Sequence, residues 1–242
     1  MKRLTAGLIV LPMLLAGPAR TEPTPVVYVF DEAFPPFSFV QAGAPAGFEL
    51  EVLARVLASD GRKLDAKPMH WDAAQAALRE GKADVTSGMA KTPEREQVFL
   101  FAETPTYVLN IVNWAPDSSP ITGPGDLKGR VVATERGSLY QKLLEERGGM
   151  TLKLYETEPE ALAAMVNRKA EAWAGSNPTA RYFAKQLGYR GIEPKAEPLL
   201  VSPIYYVFAA GRGALRDKVS DGLEAFKKSA GYLELKAKWS VD

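Results

Sequence analysis

Short apolar runs alternate with helical patterns along most of this chain, and at two places the alternation stops. Residues 26–30, 83–89, 130–134, 151–155 and 170–174 are compact apolar stretches and read as strands. Residues 48–57, 72–78, 138–144, 159–166 and 177–187 read as helices, from apolar spacing or from a capping residue at the start. In the first of these the apolar positions are 50, 53, 56 and 57, Asp60-Gly61 closes the segment, and Asp72 is the expected cap of the second. Thr92-Pro93-Glu94 begins another, with a cap, a proline in the first turn and an acid beside it. Alternation at this spacing predicts parallel α/β sheets. Residues 107–114 and 204–210 break it as long extended runs, and the apolar positions 215, 219, 223 and 226 then mark a terminal helix. Two extended crossings separated by roughly ninety residues predict an inserted second lobe. Lobe 1 is expected to comprise 20–111 and 205–242, and lobe 2 residues 112–204.

Charge and composition remove several function classes. Lys plus Arg number 30 and Asp plus Glu 29, so the basic excess of a nucleic-acid-binding protein is missing. There is no cysteine, which excludes disulfides, thiolate catalysis and iron–sulfur clusters. His70 is the one histidine, so a polyhistidine metal site is excluded too. It reads as a polar residue without a functional part. No Gly-x-x-x-x-Gly-Lys loop and no Gly-x-Ser-x-Gly elbow occurs. No cofactor or metal is expected. At the start, Lys2 and Arg3 precede an apolar run over 4–15 and then Ala16-Gly17-Pro18-Ala19. That order describes an export signal over 1–19. The run is shorter than the roughly 20 residues that span a bilayer, and Pro12 interrupts it. A soluble periplasmic protein is expected.

Four stretches carry a family resemblance: Phe34-Pro35-Pro36-Phe37-Ser38-Phe39; Gly47-Phe48-Glu49; Gly88-Met89-Ala90-Lys91-Thr92-Pro93-Glu94-Arg95; and Asp126-Leu127-Lys128-Gly129 with Gly137-Ser138. In this order they resemble the extracellular solute-binding proteins of family 3, the polar amino-acid type of periplasmic binding protein. The resemblance implies a two-lobed, type II α/β fold whose lobes are joined by two extended hinge strands. It also implies a ligand held between the lobes and a membrane partner, either the permease of an ABC importer or a sensor domain. A monomer is expected.

Arg95 leads the candidate ligand contacts. A guanidinium presents a planar fork that matches a carboxylate, and a helix N-terminus beside it favours an anion. The family's matching arginine binds the ligand's α-carboxylate; the alternative is a solvated surface arginine. Asp31 and Phe34 follow the first strand, at the end where α/β sheets place ligands. The resemblance gives Phe34 the part of covering the ligand and allows Asp31 to meet a basic ligand group. A core aromatic and a turn-stabilising acid are the other readings. Trp71 matches a second aromatic wall, whereas Phe37 and Phe39 are assigned to packing. Gly88 and Ala90 belong to the strand before Arg95. Gly137, Ser138 and Leu139 open a lobe-2 helix whose free amides suit an anion, with plain capping by Ser138 compatible.

Three positions depart from the family pattern. Where its amino-acid binders carry an aspartate for the α-ammonium, the stretch 171–178 has Ser176. Ala90 stands where a hydroxyl is usual, and Leu139 where a threonine often helps hold the carboxylate. The anion hook is therefore kept and the charged ammonium hook is replaced by a neutral hydroxyl. A monocarboxylate, keto acid or other small organic anion is the expected ligand, with Asn177 or Glu171 open as an amine partner. The expected function is capture of a carboxylate, without catalysis. A cyclohexadienyl-dehydratase-like enzyme on the same scaffold and an interaction protein with a vestigial cleft are the alternatives.

Overall fold

The computed structural model describes residues 24–241, and the expected export signal lies outside them. The chain begins with β1 (Val26–Asp31), followed by the short strands β2 (Ala33–Phe34), β3 (Ser38–Gln41) and β4 (Ala44–Ala46). Next come α1 (Phe48–Ser59), β5 (Leu64–Met69), α2 (Trp71–Arg79), β6 (Val85–Ala90), the single turn α3 (Pro93–Glu96) and β7 (Leu100–Phe101). The first crossing is β8 (Tyr107–Pro116). It leads to β9 (Val131–Glu135), α4 (Leu139–Arg147), β10 (Thr151–Tyr155), α5 (Glu158–Val166), β11 (Ala172–Ser176) and α6 (Asn177–Gln186). The second crossing, β12 (Ile192–Phe208), returns the chain to α7 (Gly213–Lys227) and α8 (Ala230–Trp239).

One sheet contains nine strands in the order β10-β9-β11-β8-β12-β6-β1-β5, with β7 also paired to β12. The outer pairs are parallel: β1 with β5 and β6, and β9 with β10 and β11. The centre is antiparallel, because β8 leaves one half and β12 comes back beside it in the opposite direction. The alternating segments thus pair in parallel as expected, and the two crossings make the sheet as a whole a mixed one. Ile111 shows the handover, since it pairs with Ser176 of β11 on one side and Leu200 of β12 on the other.

Side chains of β1 alternate across the sheet as its period of two requires. Tyr28 and Phe30 join Phe48, Val52, Leu53 and Val56 of α1, Leu215, Val219 and Leu223 of α7, and Tyr232 of α8. Val29 points the other way, to Trp71, Ala74 and Leu78 of α2. The second half repeats the arrangement. Trp114 and Trp173 pack with Leu162 and Met165 of α5, while Val132 and Ala174 meet Leu144 of α4 and Ile121.

Local departures have local causes. The helix expected from Asp72 starts at Trp71, with His70 at the cap position and no side-chain cap bond. Asp72 instead accepts from the Ala73 amide at 2.7 Å inside the first turn, where an acid suits the helix dipole. The loop expected at 34–37 is the tight turn joining β2 to β3, and it fixes Phe34 opposite Ser38. Gly47 explains why the chain can return over this turn. Its φ is +127°, and a Cβ there would stand 2.3 Å from the Phe37 carbonyl oxygen.

Candidate functional site

The carboxyl ends of β1 and β6 and the first residues of α2, α3 and α4 converge where the two halves of the sheet meet. They line a narrow cavity of about 30 Å³. Asp31, Phe34, Trp71, Gly88, Ala90 and Arg95 line it from the first half, and Ser138, Leu139 and Tyr140 from the second. Leu109, Ile111, Ser202 and Ile204 of the crossing strands complete the wall. Eight of the ten residues singled out in the sequence therefore stand on this wall. Gly137 lies at its lip, in a neighbouring crevice shared with Arg95 and Ser138. Ser176 stands apart. It is fully buried, and its hydroxyl accepts from the Thr179 amide at 3.4 Å and the Thr179 hydroxyl at 2.9 Å.

Arg95 is held by backbone. Thr92 caps α3 by accepting from the Arg95 amide at 3.3 Å, which aims the side chain back toward β6. The guanidinium donates to the Ala90 carbonyl at 3.1 Å, to Gln75 Oε1 at 3.4 Å and to the Gly137 carbonyl at 3.5 Å. It lies 5.9 Å above the Trp71 ring. These partners are neutral, and among the described residues no acid forms an ion pair with it. Burial lowers its pKa to about 10, against a smaller upward pull from Tyr140 and Glu94. A half-buried guanidinium on carbonyls alone has unspent capacity for an anion.

The aromatic walls are set by glycine and stacking. Phe34 stacks on Phe37 with ring centroids 5.0 Å apart. A Cβ at Gly88, whose φ is +73°, would come within 2.9 Å of the Phe34 ring. Phe37 and Phe39 are buried in packing, the latter against Tyr182 and Trp239. Ser138 caps α4, accepting from the Gln141 amide at 3.2 Å and donating to the Glu135 carbonyl at 2.7 Å.

The two halves touch across the cavity. Gln75 joins Arg95 on the Gly137 carbonyl, at 3.3 Å, and Lys142 of α4 pairs with Glu94 of α3 at 2.7 Å. Neither alternative amine partner faces this space. Glu171 is paired to Arg130 at 2.8 Å and accepts from the Val131 amide, at the opposite end of β11. Asn177 accepts from the Trp114 indole at 3.2 Å and lines a separate open hollow of about 540 Å³ beside α6 and α8. The cations of that hollow, Arg181, Lys185 and Lys238, are all exposed.

Sequence reasoning missed Tyr140 and two buried acids behind Asp31. Asp31 accepts from the Ala33 amide at 2.9 Å through one oxygen and faces the Glu135 carboxyl. Desolvation raises its pKa to about 7 despite the Ala33 bond. Glu135, at the end of β9, is pushed well up by burial and then by the charges of Asp31 and Glu158. Glu158, the first residue of α5, is raised by burial against a smaller downward pull from the Tyr140 phenol. One signal was available: Glu135 ends its strand as Asp31 ends β1.

Two α/β lobes on one mixed sheet, joined by two long strands and meeting over a cavity at the strand ends, define the type II periplasmic-binding-protein fold. The sequence model of the bacterial extracellular solute-binding proteins, family 3, matches residues 26–242, and the chain belongs to that family. The probable amino-acid-binding protein YxeM of Bacillus subtilis is 27% identical over 210 residues, covering 84% of this chain and 79% of YxeM. A histidine kinase sensor domain with similarity to periplasmic binding proteins superposes with a TM-score of 0.85 at 26% identity, covering 90% of this chain and 96% of that one. The arginine-, lysine-, histidine-binding protein ArtJ of Geobacillus stearothermophilus gives 0.83 at 26% identity, covering 89% and 94%.

Proposed function

We propose that this protein is an exported, periplasmic receptor that captures a small carboxylate-bearing ligand in the cavity between its lobes. The closed form is then read by a membrane partner, the permease of an ABC importer or a sensor domain. Lobe 1 comprises 20–111 and 205–242 and lobe 2 comprises 112–204, a division supported by the handover of β8 pairing around Ile111. The protein acts as a monomer and binds rather than transforms its ligand; the relatives compared above include binding proteins and a sensor domain.

One observation carries the carboxylate reading. Arg95 is a half-buried cation on the cavity wall whose hydrogen bonds go to neutral oxygens alone. A ligand carboxylate would supply the missing charge and a two-point match to the fork. It would also displace the long bond to Gly137, exchanging a weak contact between the lobes for a ligand-mediated one. The test is Arg95→Ala. Its affinity for any carboxylate ligand, measured by calorimetry, should fall by about a hundredfold or more, the range expected when a charge-assisted pair is removed. Its far-ultraviolet spectrum should be unchanged. Unaltered affinity would overturn the assignment.

A further inference from the structure

Arg95 fixes one end of a ligand, and the rest of the cavity wall limits its length and polarity. The cavity measures about 30 Å³. A single water needs about 10–15 Å³ of such space, so there is room for about two or three groups of that size. Ala90, Leu109, Ile111, Leu139 and Ile204 make most of the wall apolar. Its hydroxyls and its one acid are turned to the protein. Ser138 donates to the Glu135 carbonyl at 2.7 Å, and Ser202 to the Pro203 carbonyl at 3.3 Å. Asp31 accepts from the Ala33 amide at 2.9 Å and faces the Glu135 carboxyl. The Tyr140 phenol faces the buried Glu158 carboxyl. Among the charged and hydroxyl-bearing side chains of the wall, that leaves the Arg95 guanidinium, whose partners are all neutral.

Tyr140 takes up the space that a longer ligand would need. It is the second residue of α4, is 6% exposed, and closes the cavity from the lobe opposite Arg95. The turn that carries it is tied down on both sides. The Gln141 amide donates to the Ser138 hydroxyl oxygen at 3.2 Å, and Gln141 Oε1 accepts from the Gly137 amide at 2.8 Å. A reciprocal cap of this kind fixes where a helix enters, and so fixes the side chains of its first turn. The ring therefore cannot swing aside without unwinding the start of α4.

We propose that Tyr140 is the length gauge of this cleft, and that the ligand is an unsubstituted monocarboxylate of about two to four carbons. This rests on the carboxylate reading of Arg95 and names the class of acid it takes. The guanidinium holds the carboxylate, the apolar wall covers a short tail, and the Tyr140 ring stops the chain. A hydroxyl or ammonium on the second carbon would be buried among groups whose own partners are already made, and being left unpaired it lowers affinity.

The test is calorimetry on the whole exported protein with acetate, propionate, butyrate, hexanoate, lactate and alanine. The best of the three short acids should bind at least about tenfold more tightly than hexanoate, and lactate and alanine should gain nothing over propionate. In Tyr140→Ala the stop is gone, and hexanoate should bind at least as tightly as propionate. Tyr140→Phe keeps the ring and should keep the native order. If Tyr140→Ala fails to fold, the native series decides together with Tyr140→Leu, in which the gap should narrow below about threefold. Hexanoate equal to the short acids on the native protein, tighter binding of lactate or alanine than of propionate, silence of all three short acids, an unchanged gap in Tyr140→Ala or a lost order in Tyr140→Phe would each overturn the gauge. The carboxylate reading fails separately. In that event propionamide would match propionate, and hexanamide would still be refused.

Discussion

Glu49 sits at the start of α1 in the Gly47-Phe48-Glu49 motif and is fully buried. It accepts from the Thr106 hydroxyl, and its carbonyl accepts from Tyr206 at 2.5 Å. Desolvation raises its pKa to about 7 from an ordinary 4.5, with Thr106, Ser87 and the Gly88 amide pulling the other way. The folded state therefore holds the proton more tightly than the unfolded chain does. This contribution to stability is fully present below about pH 4.5 and is lost as pH rises through 7. Glu49→Gln should match the native protein near pH 4.5 and lose that decline, a difference on the order of 3 kcal/mol by about pH 8. Urea denaturation across pH measures it, and an unchanged slope would refute it. Residue by residue, the cavity wall was legible where the family resemblance singled the side chain out, as with Arg95, Phe34 and Trp71. Behind the wall, Glu135 and Glu158 were not, because an acid at a strand end or in a Thr-Glu-Pro-Glu helix start has the sequence of a solvated turn. Only the packing of two lobes against each other buries it.

Helix starts were readable at Thr92 and Ser138, whose caps the sequence showed, and were misplaced at Asp72, where the cap position falls on His70. Thr92, Ser138, Thr157, Ser176 and Ser229 each accept from the amide three residues on. The cap at Thr157 matters most here because it sets where α5 begins, and so where Glu158 lies. Thr157→Ala should cost about 1 kcal/mol in chemical denaturation. A loss within error would show that α5 is fixed by its packing on β9 instead. Strands were less legible when they lacked an apolar run. In β5 only half of Leu64–Met69 is apolar, and Lys67 and Pro68 are exposed at the sheet edge, where charge and proline are tolerated. The expected strand at 204–210 is the last part of a 17-residue one. Pro194, Pro198 and Pro203 concealed its beginning, since proline in a sequence argues against a central strand.

At the scale of the molecule, the alternation of strands and helices and its two interruptions were enough to anticipate two lobes and two crossings. What they could not supply was strand direction at the centre. That follows from the return of β12 beside β8, a pairing between residues far apart in sequence. A ligand touching both lobes stabilises only the closed arrangement that buries it. At one hundred times its dissociation constant it adds about 2.7 kcal/mol, which in a protein of this size raises the unfolding midpoint by about 5–10 °C. Differential scanning of the protein against small acids should display that rise for the cognate ligand. A midpoint that stays fixed under saturating, calorimetrically confirmed ligand would mean that binding is not coupled to the fold in this way.

Pro194, Pro198 and Pro203 have no amide hydrogen to give, and β12 slips register against β8 between 194 and 198 and again between 198 and 200. The seam between the lobes is therefore a ladder with rungs missing. An intact ladder resists torsion like a plank, whereas this one twists like a ribbon. Because both strands stay woven into the same sheet from end to end, the lobes need no unzipping to part. A twist taken up along this ribbon would let the cleft open without moving, within its own lobe, any residue that touches the ligand.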